Sequence, residues 1–379
     1  MIIGFDAKRA AQNRTGLGNY SRFVIRILGD SFPDDKQYLY IPNPDKTPYL
    51  NEVQRSDNKT AFTMRFPKGM WRRMRSLWRV WGMTGDVKKD NIDIFHGLSN
   101  ELPLNINNAR CRSVVTLHDL IFIHCPEYYH WIDRKIYNYK FRRACRNADR
   151  VIAVSEYTKR EIMHYYNTPG SKIDVVYQGC DPAFSSPIAK EKLDDVARRY
   201  GLPSSFILYV GSIEERKNLM LVAKAMAMDK GCTTKVVAVG KKTKYVDSIK
   251  DYLAQEGIAD RFMFMHNVPF ADLPSFYRLA TLFVYPSRIE GFGIPMLEAI
   301  SSGVPAIGCT GSCLEEAGGP HSIYVGPDDA EAMAKAISRV VGDKALRGTM
   351  ISKGYEYAKN FTDEVLARKL HEVYEKLTS

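Results

Sequence analysis

The chain has 379 residues, 45% hydrophobic and 26% charged, and 54 lysines and arginines against 43 aspartates and glutamates give it a formal charge of +11. The balance is globular and the length fits about two to three domains, which excludes collagen-like, disordered and small disulfide-stapled chains. No apolar run approaches the roughly 18 residues of a membrane span, and the start of the chain lacks the basic-then-apolar pattern of a signal peptide.

Ile2–Asp6 reads as a short strand ending in a carboxylate. The run Thr15-Gly16-Leu17-Gly18-Asn19-Tyr20 leads into helical periodicity over Leu17–Leu28. Further strands are expected at Tyr38–Ile41, Asp93–His96, Ser113–Leu117, Arg150–Val154 and Lys172–Val176, and helices at Tyr129–Asn147 and Glu156–Tyr166. Within 65–89, Met70, Met74, Leu77, Trp78 and Trp81 recur at helical spacing, Trp71 broadens the stripe, and Arg65, Lys68, Arg72, Arg73, Arg75, Arg79, Lys88 and Lys89 face Asp86 alone. Such a segment reads as a basic amphipathic helix for an anionic membrane surface or an acceptor, with an ordinary core stripe as the alternative. The arginines of 134–150 add charge to the same half.

Gln178–Ser205, with Pro182, Pro187 and Pro203, reads as a linker around one helix, Lys190–Tyr200. Strands are then expected at Phe206–Gly211, Lys235–Gly240, Arg261–Met265, Thr281–Tyr285 and Pro305–Cys309. Helices are expected at Asn218–Met228, Asp272–Ala280, Asp328–Gly342 and Asp363–Leu377. Strands alternating with helices predict an α/β fold of two doubly wound, Rossmann-like parallel-sheet domains facing across a cleft. The expected divisions are 1–178, a linker 179–204, 205–360, and a terminal helix 361–379 packing back toward the first domain. Seven scattered cysteines show neither Cys-x-x-Cys nor zinc-ligand spacing, so reduced thiols and a cytoplasmic setting are expected.

Parallel sheets bind ligands beyond the carboxyl ends of their strands. Three stretches there carry chemistry. Gly16 and Gly18 precede a helix N-terminus, where free N–H groups favour an anion. Arg216 and Lys217 sit where a strand hands over to a helix, a place that disfavours cations unless an anionic ligand is present. Ser287–Ala299 holds Glu290 in a loop and Glu298 inside a helix, with Gly291 and Gly293 leaving amides for phosphate and Pro295 suited to the first turn. His118 follows one predicted strand and His96 stands at the carboxyl end of another, and Asp119 is suited to a helix cap.

These residues resemble the family-4, group 1 glycosyltransferases of the GT-B superfamily. The resemblance rests on Glu290-x7-Glu298 within EGFGIPMLE, on Gly211 with Arg216-Lys217-Asn218, on Thr116–Leu120, on Gly16-x-Gly18-Asn19-Tyr20, on Ala148-Asp149 with Val154-Ser155, and on Gly179–Asp181 with Phe184. It implies retaining transfer of a sugar from a nucleotide-sugar to a hydroxyl of a glycan or lipid-linked acceptor. By resemblance, Arg216 and Lys217 neutralise the leaving diphosphate, and Gly16, Gly18, Gly291, Phe292, Gly293 and Ile294 line the phosphates and sugar. Glu298 binds ribose, Val268 and Leu273 flank the base, and Glu290 and His118 face the transferred sugar. Many relatives place Arg after the loop glycine, where this chain has Ser212. The SIEERKN form is similar to the mannosyltransferase branch, which implies GDP-mannose; a UDP-sugar transferase, an epimerase and a sugar phosphorylase are the alternatives on this fold. No Asp-x-Asp occurs, so no metal or other cofactor is expected. The positive charge also raises a nucleic-acid protein, but no helix-turn-helix, zinc finger or RNP-type motif is present, so nucleic acid is not an expected partner. Acceptor recognition is expected on variable loops such as 43–59, with Trp71, Arg72, Arg73, Trp78 and Trp81 as acceptor or membrane contacts.

Overall fold

A computed structural model describes residues 1–53, 61–229 and 231–378, so residues 54–59 of the expected acceptor loop lie outside the described residues. The chain divides into two compact units, Met1–Gln178 with Phe361–Ser379, and Gly179–Asn360.

The first unit is built on seven parallel strands: β1 (Ile2–Asp6), β2 (Lys36–Tyr40), β3 (Phe62–Arg65), β4 (Ile94–Gly97), β5 (Arg112–Leu117), β6 (Arg150–Ala153) and β7 (Ile173–Val175). Their order is β3-β2-β1-β4-β5-β6-β7, so the winding reverses between β1 and β4. Central strands read as continuous apolar runs because helices cover both faces. Helices α1 (Gly16–Ser31), α2 (Trp131–Asn147) and α3 (Glu156–Tyr166) belong to this unit, and Ser155 caps α3 by accepting the Thr158 N–H at 2.9 Å. The closing helix Asp363–Thr378 also packs here. It buries Leu366, Leu370, Val373 and Tyr374, and Asp363 accepts from Arg26 at 2.6 Å.

Residues 65–89 do not form the single amphipathic helix that their periodicity suggests. Arg65 ends β3 and forks onto Asp90. A 3₁₀ turn at Gly69–Arg72, a short helix Arg75–Leu77, a π turn Trp78–Gly82 and a helix Met83–Lys89 follow. Trp78 is fully buried, and its indole N–H donates to Asp86 at 2.8 Å. Trp71 packs against the same core. The apolar stripe therefore faces inward at Trp71 and Trp78, which removes Trp78 as a membrane or acceptor contact. Arg72 and Arg73 are exposed, and Trp81 is 46% exposed.

The second unit has six parallel strands: β8 (Phe206–Val210), β9 (Lys235–Val239), β10 (Phe262–Met265), β11 (Leu282–Tyr285), β12 (Ala306–Cys309) and β13 (Ile323–Val325), in the order β10-β9-β8-β11-β12-β13. Its winding reverses between β8 and β11. The helices that matter here are α4 (Lys190–Tyr200), α5 (Leu219–Met228), α6 (Leu273–Leu279) and α7 (Ile294–Ser301). The expected linker 179–204 is packed structure of this unit. Phe184 is fully buried, with its ring edge-on to Tyr277 at 5.3 Å. Arg199 of α4 forks onto Asp272 at 3.1 Å. Its prolines therefore shape a packed connection rather than a free one.

Candidate functional site

Ligands of doubly wound sheets bind where the winding reverses. In the second unit that place lies between the segments leaving β8 and β11. The two segments are tied by the Arg288 N–H, which donates to the Arg216 carbonyl at 3.0 Å. Arg216 and Lys217 come from the first segment and Glu290 from the second. Lys217 Nζ pairs with Glu290 Oε1 and donates to Tyr285 Oη at 2.6 Å. Arg216 Nη1 lies 3.2 Å from the same carboxylate oxygen and donates to the Ile289 carbonyl at 2.7 Å, while Nη2 donates to Glu214 at 2.9 Å. Ser287 and Tyr285 add hydroxyl donors to Glu290 at 2.6 and 3.0 Å.

The Glu290 side chain is only 12% exposed. Burial alone would raise its pKa. The charges of Lys217 and Arg216, with hydrogen bonds from Lys217 and Ser287, more than reverse that and hold it at about 2. Glu290 is thus a fixed carboxylate at neutral pH, and two cations are gathered around it.

The connection continues into α7. Gly293, at φ 102°, precedes its first turn, and a Cβ there would lie 2.6 Å from Leu314 Cδ2. Glycine is therefore required both by conformation and by space. Pro295 occupies the first turn, and Gly291, Phe292, Gly293 and Ile294 bring their main chain to the helix start. Glu298 follows inside the helix and accepts from Tyr277 Oη at 2.8 Å. Burial raises its carboxyl to about 7; the Tyr277 hydrogen bond opposes this, and Asp181 adds to it. Val268 and Leu273 lie on the connection after β10, two strands along from β8, and both are half-buried.

In the first unit His118 follows β5 and is buried. Its Nε2 lies 2.9 Å from the Leu98 carbonyl, which can only accept, so Nε2 carries the proton. Nδ1 then accepts from the Gln178 amide at 3.3 Å. Burial depresses this imidazole to about 4, so it is neutral at physiological pH. His96 is a core residue between Tyr374 Oη (2.6 Å) and Thr116 Oγ1 (2.8 Å). Gly16 opens α1. The expected phosphate donor Gly18 is engaged otherwise: its N–H donates to the Thr15 carbonyl at 2.9 Å, and a Cβ would lie 1.9 Å from the Asn13 carbonyl oxygen. Close packing, rather than an open amide, is what requires glycine there. Asp119 accepts from the Ile121 N–H at 3.2 Å, but it is not the expected cap: Leu120 stands at the N-cap of the helix Ile121–His124, and no side chain caps it.

Sequence reasoning did not single out Tyr285, Ser287 or Tyr277. Tyr285 and Ser287 flank the strand end before Glu290, so their spacing was a usable signal; Tyr277 approaches Glu298 only through the fold. Among the described residues, no group of three or more His, Cys, Asp or Glu is placed to hold a metal ion, no helix is long and apolar enough to cross a membrane, and all seven cysteines are free.

Two doubly wound parallel-sheet units make this a GT-B protein. Its fold is shared with a glycosyltransferase from Rickettsia africae (TM-score 0.77, 16% identity, 100% of this chain and 98% of that chain covered). It is also shared with Anabaena HepE solved with UDP and glucose (TM-score 0.74, 17% identity, 99% of each chain). Residues 198–357 match the model of the glycosyl transferases group 1, and residues 35–184 match that of glycosyltransferase family 4. O-antigen chain mannosyltransferase B of Escherichia coli is 27% identical over 384 residues, which span 96% of this chain and 97% of that protein. The chain belongs to the family-4, group 1 glycosyltransferases.

Proposed function

We propose that the chain moves mannose from GDP-mannose onto a hydroxyl of a glycan or lipid-linked acceptor, with retention, in cell-surface polysaccharide synthesis at the cytoplasmic face of a membrane. The observation that carries this reading is the Lys217–Arg216–Glu290 cluster at the winding reversal of the second sheet. Departure of a nucleoside diphosphate builds negative charge on the leaving group and positive charge at the sugar carbon. Lys217 and Arg216 answer the first charge where other enzymes use a metal, helped by the main chain of Gly291–Ile294 at the start of α7. Glu290, held ionised, answers the second. Glu298, positioned by Tyr277, takes the ribose hydroxyls, and Val268 and Leu273 flank the base. Gly16 contributes its amide at the mouth of α1, and neutral His118 contacts the sugar. The likeness to an O-antigen mannosyltransferase and the SIEERKN loop support mannose and polysaccharide synthesis.

A thermal-shift screen of nucleotide-sugars tests the donor, because a ligand that binds the folded state raises the midpoint. GDP-mannose is expected to raise it most; a larger shift with a UDP-sugar contradicts the assignment. Radiolabel transfer then tests the reaction. Product without acceptor indicates an epimerase, and dependence on free phosphate indicates a phosphorylase.

A further inference from the structure

Four donors converge on a single atom, Glu290 Oε1. Lys217 Nζ pairs with it, Ser287 Oγ donates at 2.6 Å, Tyr285 Oη donates at 3.0 Å, and Arg216 Nη1 stands 3.2 Å away. None of these four contacts engages Oε2. The carboxylate is therefore gripped by one oxygen and has the other to offer.

The four donors are not equivalent. Lys217 and Arg216 are the cations that answer a leaving diphosphate, so a bound donor draws them off Glu290. Ser287 belongs to the same loop as Glu290 and moves with it. Tyr285 stands in the sheet itself, opposite Gly308 in the ladder of β11 and β12. It is 2% exposed, with its ring stacked on Phe283 at 6.1 Å and tilted against Tyr209 at 6.5 Å. Its hydroxyl is thus the one contact of the four that is fixed by the sheet and that the diphosphate does not claim.

The proton on this hydroxyl is also placed. Lys217 Nζ lies 2.6 Å from Tyr285 Oη and can only donate, so the phenol oxygen accepts there. The phenol proton then goes to the ionised Glu290, which can only accept. Burial, with the charge of Glu290, raises the phenol well above its ordinary pKa, so the proton stays on it. The chain of bonds runs in one direction, Lys217 to Tyr285 to Glu290, and each bond polarises the next. It spends two of the ammonium's three donors and leaves the third for a phosphate oxygen.

We propose that Tyr285 is a positioning residue for the transfer: its hydroxyl holds Glu290 Oε1 in place when the diphosphate takes Lys217, so that Oε2 keeps facing the sugar as positive charge develops there. Without the hydroxyl the carboxylate follows the ammonium toward the diphosphate. The role rests on the transfer reading of this site, and Tyr285 acts through Glu290.

Hydrolysis of the nucleotide-sugar, read as nucleoside diphosphate released with water as the acceptor, tests this in wild type, Tyr285→Phe, Glu290→Gln and the double variant. GDP-mannose is the donor, or the UDP-sugar if that raises the melting midpoint more, so a wrong base or sugar leaves the comparison standing. Tyr285→Phe keeps the buried ring and removes one hydrogen bond to a charged group, so kcat should fall about tenfold to hundredfold. The KM for the donor should stay within about twofold, because the bond matters only once charge develops. With Glu290→Gln already present no charge is left to hold, and adding Tyr285→Phe should change kcat by less than about threefold. A tyrosine that serves packing alone gives another pattern: kcat of Tyr285→Phe near wild type, or losses that multiply in the double variant. Either result overturns the proposal, as does a rise in KM that accounts for the whole loss, which would tie Tyr285 to diphosphate binding. A wild type that cleaves no nucleotide-sugar removes the transfer reading and this role with it, whereas equal turnover by wild type and Tyr285→Phe removes the role alone.

Discussion

Glu290 and Glu298 stand on one connection of the second sheet, the first in the loop before α7 and the second within that helix. Burial pushes both carboxyls up from the ordinary 4.5, yet Glu290 is held at about 2 and Glu298 rises to about 7. Two cations and two hydroxyls surround the first. One tyrosine and an acidic neighbour, Asp181, surround the second. Enclosure therefore does not decide ionisation; the charges sharing the enclosure do. The same contrast separates the two jobs. A fixed anion gathers Lys217 and Arg216, while an acid that titrates near neutrality recognises hydroxyls.

The strongest way to break this contrast is Lys217→Ala. It removes a cation aimed at the leaving diphosphate, and turnover should fall about 10²–10³-fold, as for loss of one preorganised donor. Steady-state kinetics checks this, and a loss below tenfold would detach Lys217 from the chemistry. Glu290→Gln should lower turnover by about 10²-fold while keeping or strengthening diphosphate binding, because the cations lose their protein counter-charge. Glu290 is depressed in the folded state, so its stabilising contribution is present above about 4.5 and is lost as the pH falls toward 2. Melting curves of Glu290→Gln should accordingly be flatter than wild type over that acid range.

Glu298→Gln sharpens the other side. Its carboxyl is raised, so the folded state loses stability as pH rises from about 4.5 to about 7, and the variant should lack that decline. Donor affinity in wild type should increase as the pH passes 7 and the ionised carboxylate becomes a better acceptor of ribose hydroxyls. A flat profile in both proteins would remove ribose from its role. The smallest effect is expected from Gly293→Ala, between the two carboxylates. Forcing a Cβ into φ 102° beside Leu314 should lower stability by about 1–2 kcal/mol, read by denaturant unfolding.

Glu156–Tyr166 and Lys190–Tyr200 were legible to the residue, because a cap or a clear periodic face bounds each. The winding-reversal residues were legible too, since a strand run ending in glycine and followed by charge marks a sheet edge. β3 and β13 escaped: both are short edge strands with little pattern. The stripe of Trp78 was real, but periodicity says only that residues share a face and not whether that face looks inward. Tyr277 escaped because it meets Glu298 only through the fold, its hydroxyl donating to that carboxylate at 2.8 Å.

Calorimetric titration of GDP, with a metal chelator present, into wild type, Lys217→Ala and Glu290→Gln tests the central claim most directly. The account predicts chelator-resistant binding by wild type, a loss of about a hundredfold in Lys217→Ala, and binding at least as tight as wild type in Glu290→Gln. Binding that vanishes with the chelator, or that survives undiminished in Lys217→Ala, would contradict it.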